Sequence, residues 1–481
     1  RMDAPAPSPS RVLDRLDPAQ RDVASGLGRR FRAAGHDLHL VGGIVRDALI
    51  PRDLPADLDF TTSAPPPESK RQLEEAGAAA VYTVGERFGT IGAVFGEDPG
   101  RVQAEVTTYR AEHYPDATRF PSVRFGVSLD EDLSRRDFTC NAIAADPLTG
   151  LLRDPFGGEG DIAQGMLRAV GTPGDRFAED PLRLLRAARF VSQLGFALDR
   201  ETEAAMILHA SDLRRISVER ILAELTLLLT GDYAANGLET LRRTGLLETA
   251  LPELAPLAAE AAAATDPARR EKALWDHTLR VVSQSPPRPT VRWAALMHDA
   301  AKPMTRGFDA SGEVCFIGHE RAGADLAARA LRRLRADRAL AASVQAIVEL
   351  HGRPASYEPG WTDSAVRRLA LEAGPYWDDL LDLAAADVTS AHERKQARAA
   401  ARVAGLRAHF ARLEEEAALD LLQSPLDGDD LMALFGRPPG IWIKHVKAML
   451  RDLVIDGDLA QDDRAAAGRL ARDFLAANPD L

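Results

Sequence analysis

Apolar and polar positions follow two different rhythms along this chain. Between residues 38 and 150 short strand-like runs recur: HLVGG (39–43), DLDFTT (57–62), TIGAVF (90–95) and VQAEVTTY (102–109), with helical stretches between them. Short runs rich in Val, Ile, Thr and Phe predict strands, which bury one or both faces. From about residue 175 the strand signal disappears. DPLRLLRAARFVSQLGF (180–196), SVERILAELTLLLTG (217–231) and HERAGADLAARALRRLRAD (319–337) place apolar residues three and four apart. That is the period of an amphipathic helix. Gly245, Pro252, Pro286–Pro287, Pro354, Gly374–Pro375 and Pro438–Pro439 punctuate this half. The pattern predicts an α+β fold: a mixed head reaching to about residue 170 and then a long all-helical body.

Composition narrows the class. The 481 residues are long enough for several domains, with 45% apolar and 27% charged residues, as in an ordinary globular protein. Sixty Lys and Arg against 72 Asp and Glu leave a net charge of −12, which excludes a uniformly basic nucleic-acid coat. Local basic patches remain compatible with nucleic acid. Lysine occurs only at 70, 272, 302, 395, 444 and 447, so positive charge is nearly all arginine, the planar group suited to phosphate and base edges. Cys140 and Cys315 stand alone, giving neither a disulfide framework nor a CxxC metal site, and Cys140 is expected to pack in the core. The opening RMDAPAPSPS has no apolar stretch of a signal peptide, and no apolar run approaches a membrane span. The expectation is a cytoplasmic protein without membrane attachment.

Three local patterns carry chemistry. Gly42-Gly43 follows an apolar strand and leads into IVRDALI, a predicted helix. A glycine pair before a helix N-terminus lets backbone N–H groups approach a phosphate, although an ordinary tight turn fits equally. Asp57-Leu58-Asp59 puts two carboxylates on one face of a strand and sends Leu58 to the core. Paired carboxylates suit Mg²⁺ shared with substrate phosphates, while a solvated loop is the plain alternative. In Glu179-Asp180-x-x-Arg183, Asp180 and Arg183 are three apart, so they face the same way on a helix that Asp180 would cap. Together they offer an acceptor and several donors, enough to read a base edge, or else a cap and a surface ion pair.

VGGIVRD (41–47) followed by DLDFTT (57–62) resembles the head motif of polymerase β-like nucleotidyltransferases. EVTTYR (105–110), YPDATRFP (114–121), SLDEDLSRRDFTCNAIA (128–144), DPFGGEGDI through LRAARF (154–190) and ISVERILAEL (216–225) follow in order. They are similar to the bacterial class II tRNA nucleotidyltransferases (CCA-adding enzymes) and their poly(A) polymerase relatives. The resemblance implies that Asp57 and Asp59 are catalytic and hold Mg²⁺. It places Gly42, Gly43 and Arg46 on the triphosphate, and Arg136, Asp137 and Asn141 in the segment around the ribose. Asp180 and Arg183 would read the base, with Glu179 bracing Arg183, and Arg186 is counted among the nucleotide-binding residues. Asp47 is assigned to holding the helix start, and Arg135 to an ion pair with Asp132 or Glu131. Glu105 falls where the wider superfamily has a third carboxylate and is not counted among the candidates. The loop 114–121, present here, resembles one that CC-only enzymes lack.

In the helical half, WDHTL, MHDAAKP, IGHE, VELHGRP and AADVTS resemble the HD phosphohydrolase superfamily. The resemblance implies one metal site from His277, His298, Asp299 and Asp387, and a second position from His319 and His351. Imidazole suits Ni, Mn, Zn or Fe. Ligands kept only for hydrogen bonding inside the bundle are the alternative. The stretch 427–462 resembles the family's tail, where Lys444, Lys447 and Arg451 share one helical face near Trp442 and would meet RNA phosphates, unless they are a solvated face. Arg183, Arg186 and Arg189; Arg214, Arg215 and Arg220; and Arg332, Arg333 and Arg335 form further stripes.

The expected organisation is a catalytic head at 20–170, a nucleotide- and RNA-binding neck at 171–245, an HD domain at 246–400 and an RNA-binding helical tail at 401–481. The expected activity is addition of the 3′-terminal CCA to tRNA from CTP and ATP without a nucleic-acid template. A-addition only, or poly(A) synthesis, would use the same head motifs. An RNA-binding HD phosphohydrolase with a degenerate head is the alternative of another class.

Overall fold

The computed structural model describes residues 11–55, 57–84, 89–98, 100–113, 122–263, 274–388, 393–416, 424–479 and 481. The loop 114–121 singled out above lies outside the described residues. The chain forms two compact units that divide between Pro252 and Glu253.

The first unit is built on nine head strands: β1 (Leu38–Val41), β2 (Leu58–Thr62), β3 (Ala80–Val84), β4 (Thr90–Phe95), β5 (Val102–Thr108), β6 (Arg110–His113), β7 (Ser122–Phe125), β8 (Ala144–Ala145) and β9 (Leu152–Arg153). Seven of these form one sheet in the order β3-β4-β5-β2-β1-β8-β9, while β6 and β7 pair as a separate hairpin. Among the described residues of that sheet only β2 and β5 run parallel, with Asp59 opposite Glu105 and Thr61 opposite Thr107. Side chains opposite one another share a face, so the register sets Glu105 beside Asp59. Leu58 and Phe60, on the other face, are buried with Leu40, Phe31 and Leu27. The alternation predicted for DLDFTT is therefore the alternation between core and site.

Helices complete this unit. Gly43–Leu49 follows β1, Leu129–Ser134 is opened by a Ser128–Glu131 capping box, and Leu182–Leu194 packs on Val218–Leu229 and Ala234–Arg243.

The second unit is helical, with Trp275 and Trp293 fully buried. Its tail has its own core of Leu431, Trp442, Val446, Leu450 and Ala467. Two small strand pairs depart from the expectation that strands end near 175. Met166–Leu167 pairs with Ala197–Leu198, and Gly307–Phe308 pairs with Val314–Cys315. Strands of two residues are too short to leave an alternation in the sequence.

Candidate active site and a second metal-ligand cluster

Gly42 adopts φ +74°, a left-handed turn that only glycine enters without strain. A Cβ there would lie 3.6 Å from Asp59 Oδ2 and 3.8 Å from Arg136 Nη1. The turn thus delivers the chain from β1 into the helix Gly43–Leu49 while leaving room between a carboxylate and a guanidinium. A cavity of about 330 Å³ opens at this point, lined by Gly42, Gly43, Arg46, Asp59, Arg135, Arg136, Asp137, Asn141, Asp180, Arg183, Arg186 and Phe190. Most of the head and neck residues expected from the sequence meet here. Asp57 and Glu179 are not in the lining.

Arg46 is buried and fixed by two partners. Its Nε and Nη2 donate to Asp47 Oδ1 at 2.8 Å and Oδ2 at 3.0 Å, and its Nη1 donates to Asn141 Oδ1 at 2.8 Å. Asp47 therefore clamps Arg46 from within the helix; it does not hold the helix start, where a carboxylate would have to sit at the N-cap or first turn. Asn141 Nδ2 in turn donates to Asp137 Oδ1 at 3.0 Å, and Arg186 Nε donates to Asp137 Oδ2 at 2.8 Å. Burial opposes charge on Asp137, but Arg186 and these hydrogen bonds outweigh it and hold the carboxyl well below the usual range. Phe190 sits among three guanidinium groups, at 5.2 Å from Arg46, 5.4 Å from Arg186 and 4.5 Å from Arg189. Cations gather on an aromatic face because of its negative quadrupole. Neither Phe190 nor Asp47 was singled out as a site residue from the sequence, because no local pattern marks a partner that acts through packing.

Arg183 is held on three sides. Nη1 donates to Glu179 Oε2 at 3.0 Å and to the Arg176 carbonyl at 3.2 Å, and Nη2 donates to the Arg135 carbonyl at 2.7 Å. Glu179 thus braces Arg183. Asp180 Oδ1 accepts from Leu182 N at 3.1 Å, but the N-cap of the helix Leu182–Leu194 is Pro181 and not Asp180 as expected; Asp180 Oδ2 lies 3.7 Å from Arg220. The series Arg183, Arg186 and Arg189 faces inward, with Arg189 Nε 3.3 Å from Glu224. It is not a surface stripe for RNA, because each member already has a carboxylate partner in the protein.

Asp57 and Asp59 precede and enter β2, both open to solvent. Protein crowded around Asp59 raises its carboxyl, and the charges of Glu105 and Asp57 add to this while Arg136 opposes it; the result is about 6. Carboxylates that crowd one another in this way accept a hard divalent cation readily, and the oxygen donors fit Mg²⁺.

In the second unit five helix ends or helices bring six ligands together. His277 lies in Leu274–Gln284, His298 ends Pro289–Met297, His319 opens His319–Arg333, His351 ends Arg338–Leu350 and Asp387 ends Trp377–Ala386. His277, His298 and Asp387 form one group with all ligand atoms within 4.8 Å; Asp299, His319 and His351 form another. Asp299 spans both, with Oδ2 3.3 Å from His277 and His298, and Oδ1 3.6 Å from His319 and 3.8 Å from His351. The expected division, with Asp299 in the first set alone, is corrected by this geometry: its two oxygens face opposite ways. Nδ1 of His298, His319 and His351 approaches the carbonyls of Ala295, Phe316 and Val348 at 2.8, 2.7 and 2.6 Å. That anchor leaves each Nε2 turned inward as a ligand. Asp299 Oδ1 is buried with no hydrogen-bond partner. An orphaned carboxylate oxygen among imidazole nitrogens fits a bound metal better than a purely structural cluster. Burial opposes a charge on His298, yet Asp299 and Asp387 raise it to about 9, while burial and the charge on His298 push His351 down to about 4.

In the tail, Lys444, Lys447 and Arg451 are exposed on the helix Ile441–Asp456. Trp442, near them in the sequence, is buried and donates to the Pro438 carbonyl at 3.0 Å.

Comparison with known proteins matches these regions. Family models match a poly(A) polymerase head domain at residues 38–168, a probable RNA-binding region of polymerase A at 195–257 and an HD domain at 271–392. A CCA-adding enzyme of a Geobacillus strain is 34% identical over 91% of this chain and 93% of its own length. The Bacillus subtilis CCA-adding enzyme is 45% identical over 45% of this chain and 52% of its own. A crystal structure of the Bacillus stearothermophilus CCA-adding enzyme with CTP, 28% identical, covers 97% of this chain and 100% of that one at a TM-score of 0.69. With a head sheet that carries the carboxylates, a neck that closes an arginine-lined pocket beside Asp59, and a 34% identical relative matched over 93% of its length, this chain belongs to the family of CCA-adding enzymes.

Proposed function

We propose that this protein completes the 3′ end of tRNA by adding C, C and A from CTP and ATP, with its own side chains in place of a nucleic-acid template. The observation that carries the reading is one pocket in which Asp59 lies near Asp180 and Arg183. Asp180 would accept the exocyclic amine of cytosine or adenine, and Arg183 would donate to the ring nitrogen or keto oxygen. Uracil and guanine present the opposite edge. Arg46 and Arg136, with the backbone at Gly42 and Gly43, would receive the triphosphate, and Asp137 and Asn141 the ribose. Asp57 and Asp59 would hold Mg²⁺, which when bound neutralises charge on the attacked and leaving oxygens. The arginines, held by buried acids before substrate arrives, need little reordering, and such preorganisation is the main source of rate in phosphoryl chemistry.

The same reading assigns catalysis to the head (20–170), base recognition to the neck (171–245), the metal cluster to the HD region (246–400) and RNA holding to the tail (401–481). Lys444, Lys447 and Arg451 would meet tRNA phosphates without reading sequence. Among the described residues no helix is long and apolar enough to cross a membrane, and on this reading the enzyme would meet its tRNA substrate in the cytoplasm.

The test supplies purified protein with tRNA lacking CCA, tRNA ending in C or CC, and an unrelated RNA, together with both nucleotides. Stepwise C, C and A on tRNA is expected. Addition of A alone to tRNA ending in CC would replace this reading with terminal A-addition, and A tails on the unrelated RNA would replace it with poly(A) synthesis.

A second reading rests on the HD cluster alone. Two ligand groups joined by Asp299 support a phosphohydrolase loaded with Ni, Mn, Zn or Fe. Hydrolysis of a phosphate ester by wild type and its loss in His298→Ala with Asp299→Ala is the test; equal hydrolysis in both would refute it.

A further inference from the structure

Asp132 is the most completely buried acid of the head, at 0% exposure, and nothing above gives it a task beyond pairing Arg135. Its surroundings are unusual for an ion-pair partner. Oδ1 accepts from Arg135 Nε at 3.0 Å and from the Arg110 backbone N–H at 3.3 Å. Oδ2 accepts from Thr61 Oγ1 at 3.0 Å and from Arg136 Nη2 at 3.4 Å. Burial would neutralise such a carboxyl, but Arg135 and Arg136 outweigh it and keep it below its ordinary range.

These partners lead in two directions. Thr61 lies two residues beyond Asp59 on β2 and shares its face, so Asp132 is fastened to the strand that carries the metal carboxylates. On the other side Asp132 fixes the turn 134–136. The Arg135 carbonyl of that turn accepts from Arg183 Nη2 at 2.7 Å, and the Ser134 carbonyl accepts from Arg176 Nη1 at 3.1 Å. Arg176 also pairs with Glu179 at 2.6 Å, the residue that braces Arg183. Arg136 meanwhile extends Nη1 toward the Gly42 turn that Asp59 borders. Each of these hydrogen-bonded routes from the base-reading arginine to the carboxylate strand passes the short helix Leu129–Ser134, which carries Asp132, and the turn that follows it.

We propose that Asp132 is a positioning residue that sets the base-reading arm and the metal-bearing strand at one fixed spacing, so that an accepted base is a base whose α-phosphate is in line. This rests on the nucleotide-transfer reading above. A buried carboxylate suits the task because its two oxygens serve the strand and the turn at once, and because removal of its charge leaves two guanidinium groups short of a partner. Asp132 touches no substrate; it acts through Arg135, Arg136 and Thr61.

The two ends of the link predict different kinetic signatures. Asp132→Asn keeps the shape and loses the charge, so Arg135 and its carbonyl shift under Arg183. The KM for CTP and ATP is expected to rise at least tenfold, and the preference for CTP over UTP, as a ratio of kcat/KM, to fall at least tenfold. Thr61→Val breaks the strand end of the link, together with the longer 3.3 Å contact of Thr61 Oγ1 to the Thr107 carbonyl, and leaves the Arg135 end in place. It should lower kcat for CTP about tenfold while the CTP-over-UTP preference stays within twofold, and Thr61→Ser, which keeps the hydroxyl, should restore kcat. Rates are taken per folded site, with folding checked by circular dichroism and thermal midpoint. A merely structural Asp132 lowers the midpoint and leaves both ratios unchanged, which would overturn the proposal. If Asp132→Asn does not fold, Thr61→Val decides: a wild-type kcat overturns it. Absence of CTP and ATP incorporation by the wild-type enzyme would instead count against the functional reading itself.

Discussion

The two sites of this chain solve the problem of holding charge in opposite ways. In the head, the cations are built in and fixed: Arg46, Arg183 and Arg186 each rest against a carboxylate, while Asp57 and Asp59 stay open to solvent. In the HD region the ligands converge on a buried centre, with His298 and Asp299 at 0% exposure and His277, His319 and Asp387 half-buried, and one oxygen of Asp299 has no hydrogen-bond partner. On the proposed reading the first arrangement would receive a polyanion that arrives with its metal and leaves after each turnover, and the second would hold a resident ion. Openness of the metal ligands, more than their chemical type, separates a substrate-delivered cation from a retained one.

The largest effect that would break this comparison is in the head. Asp57→Ala with Asp59→Ala should lower nucleotide incorporation by at least ~10³-fold while tRNA binding, followed by a mobility shift, stays near wild type. Transfer retained in the double variant would disprove the metal assignment. Next comes Asp137→Ala, which strands Arg186 and Asn141 in the pocket. Removing one partner of a buried pair costs about 3–5 kcal/mol, so the first urea transition should move by that amount; a shift under about 1 kcal/mol would show the arginines are not held as described.

His298→Ala with Asp299→Ala sharpens the other side. Metal content of the purified protein should fall to background, while CCA addition remains within about twofold of wild type. If CCA addition is lost in a folded double variant, the two sites are coupled. Brief dialysis against a chelator should likewise stop incorporation until Mg²⁺ is restored, yet leave the HD metal in place.

The smallest expected effect concerns the two thiols. Cys140 is fully buried, and burial pushes its thiol up to about 12. The thiolate is the reactive form, so at pH 8 the population able to attack an alkylating agent is negligible and rises only as pH approaches that value. Cys315 is half-buried. Mass spectrometry after iodoacetamide treatment of the native protein should find Cys315 modified and Cys140 intact; modification of Cys140 would show that the core beneath the pocket opens.

How much of this was legible beforehand depends on the distance over which each feature acts. The opposite faces of Leu58 and Asp59 were readable because a strand alternates every residue, and Leu58 is indeed buried, whereas Asp57, expected on the same strand, precedes β2. That Asp180 and Arg183 would face one pocket was expected from their three-residue spacing, although the helix of Arg183 begins only at Leu182, and the brace from Glu179 was expected only from the family resemblance. The HD ligands were found by motif order. The sequence did not disclose that Asp47 clamps Arg46, that Phe190 collects three guanidinium groups, or that Trp442 turns inward. Each of these depends on what packs opposite.

The chain's own pattern therefore determined the classes of element, the family and the residues that carry charge, since these follow from local periodicity and from motifs contiguous in the chain. Tertiary structure alone decided which charge meets which. Arg186 reaches Asp137 across 49 residues, and Thr61 reaches Asp132 across 71. No local rule links positions so far apart. Only the burial of the apolar face of the sheet and the packing of the neck helices bring them within hydrogen-bonding distance, and in a low-dielectric interior that proximity fixes which groups stay ionised.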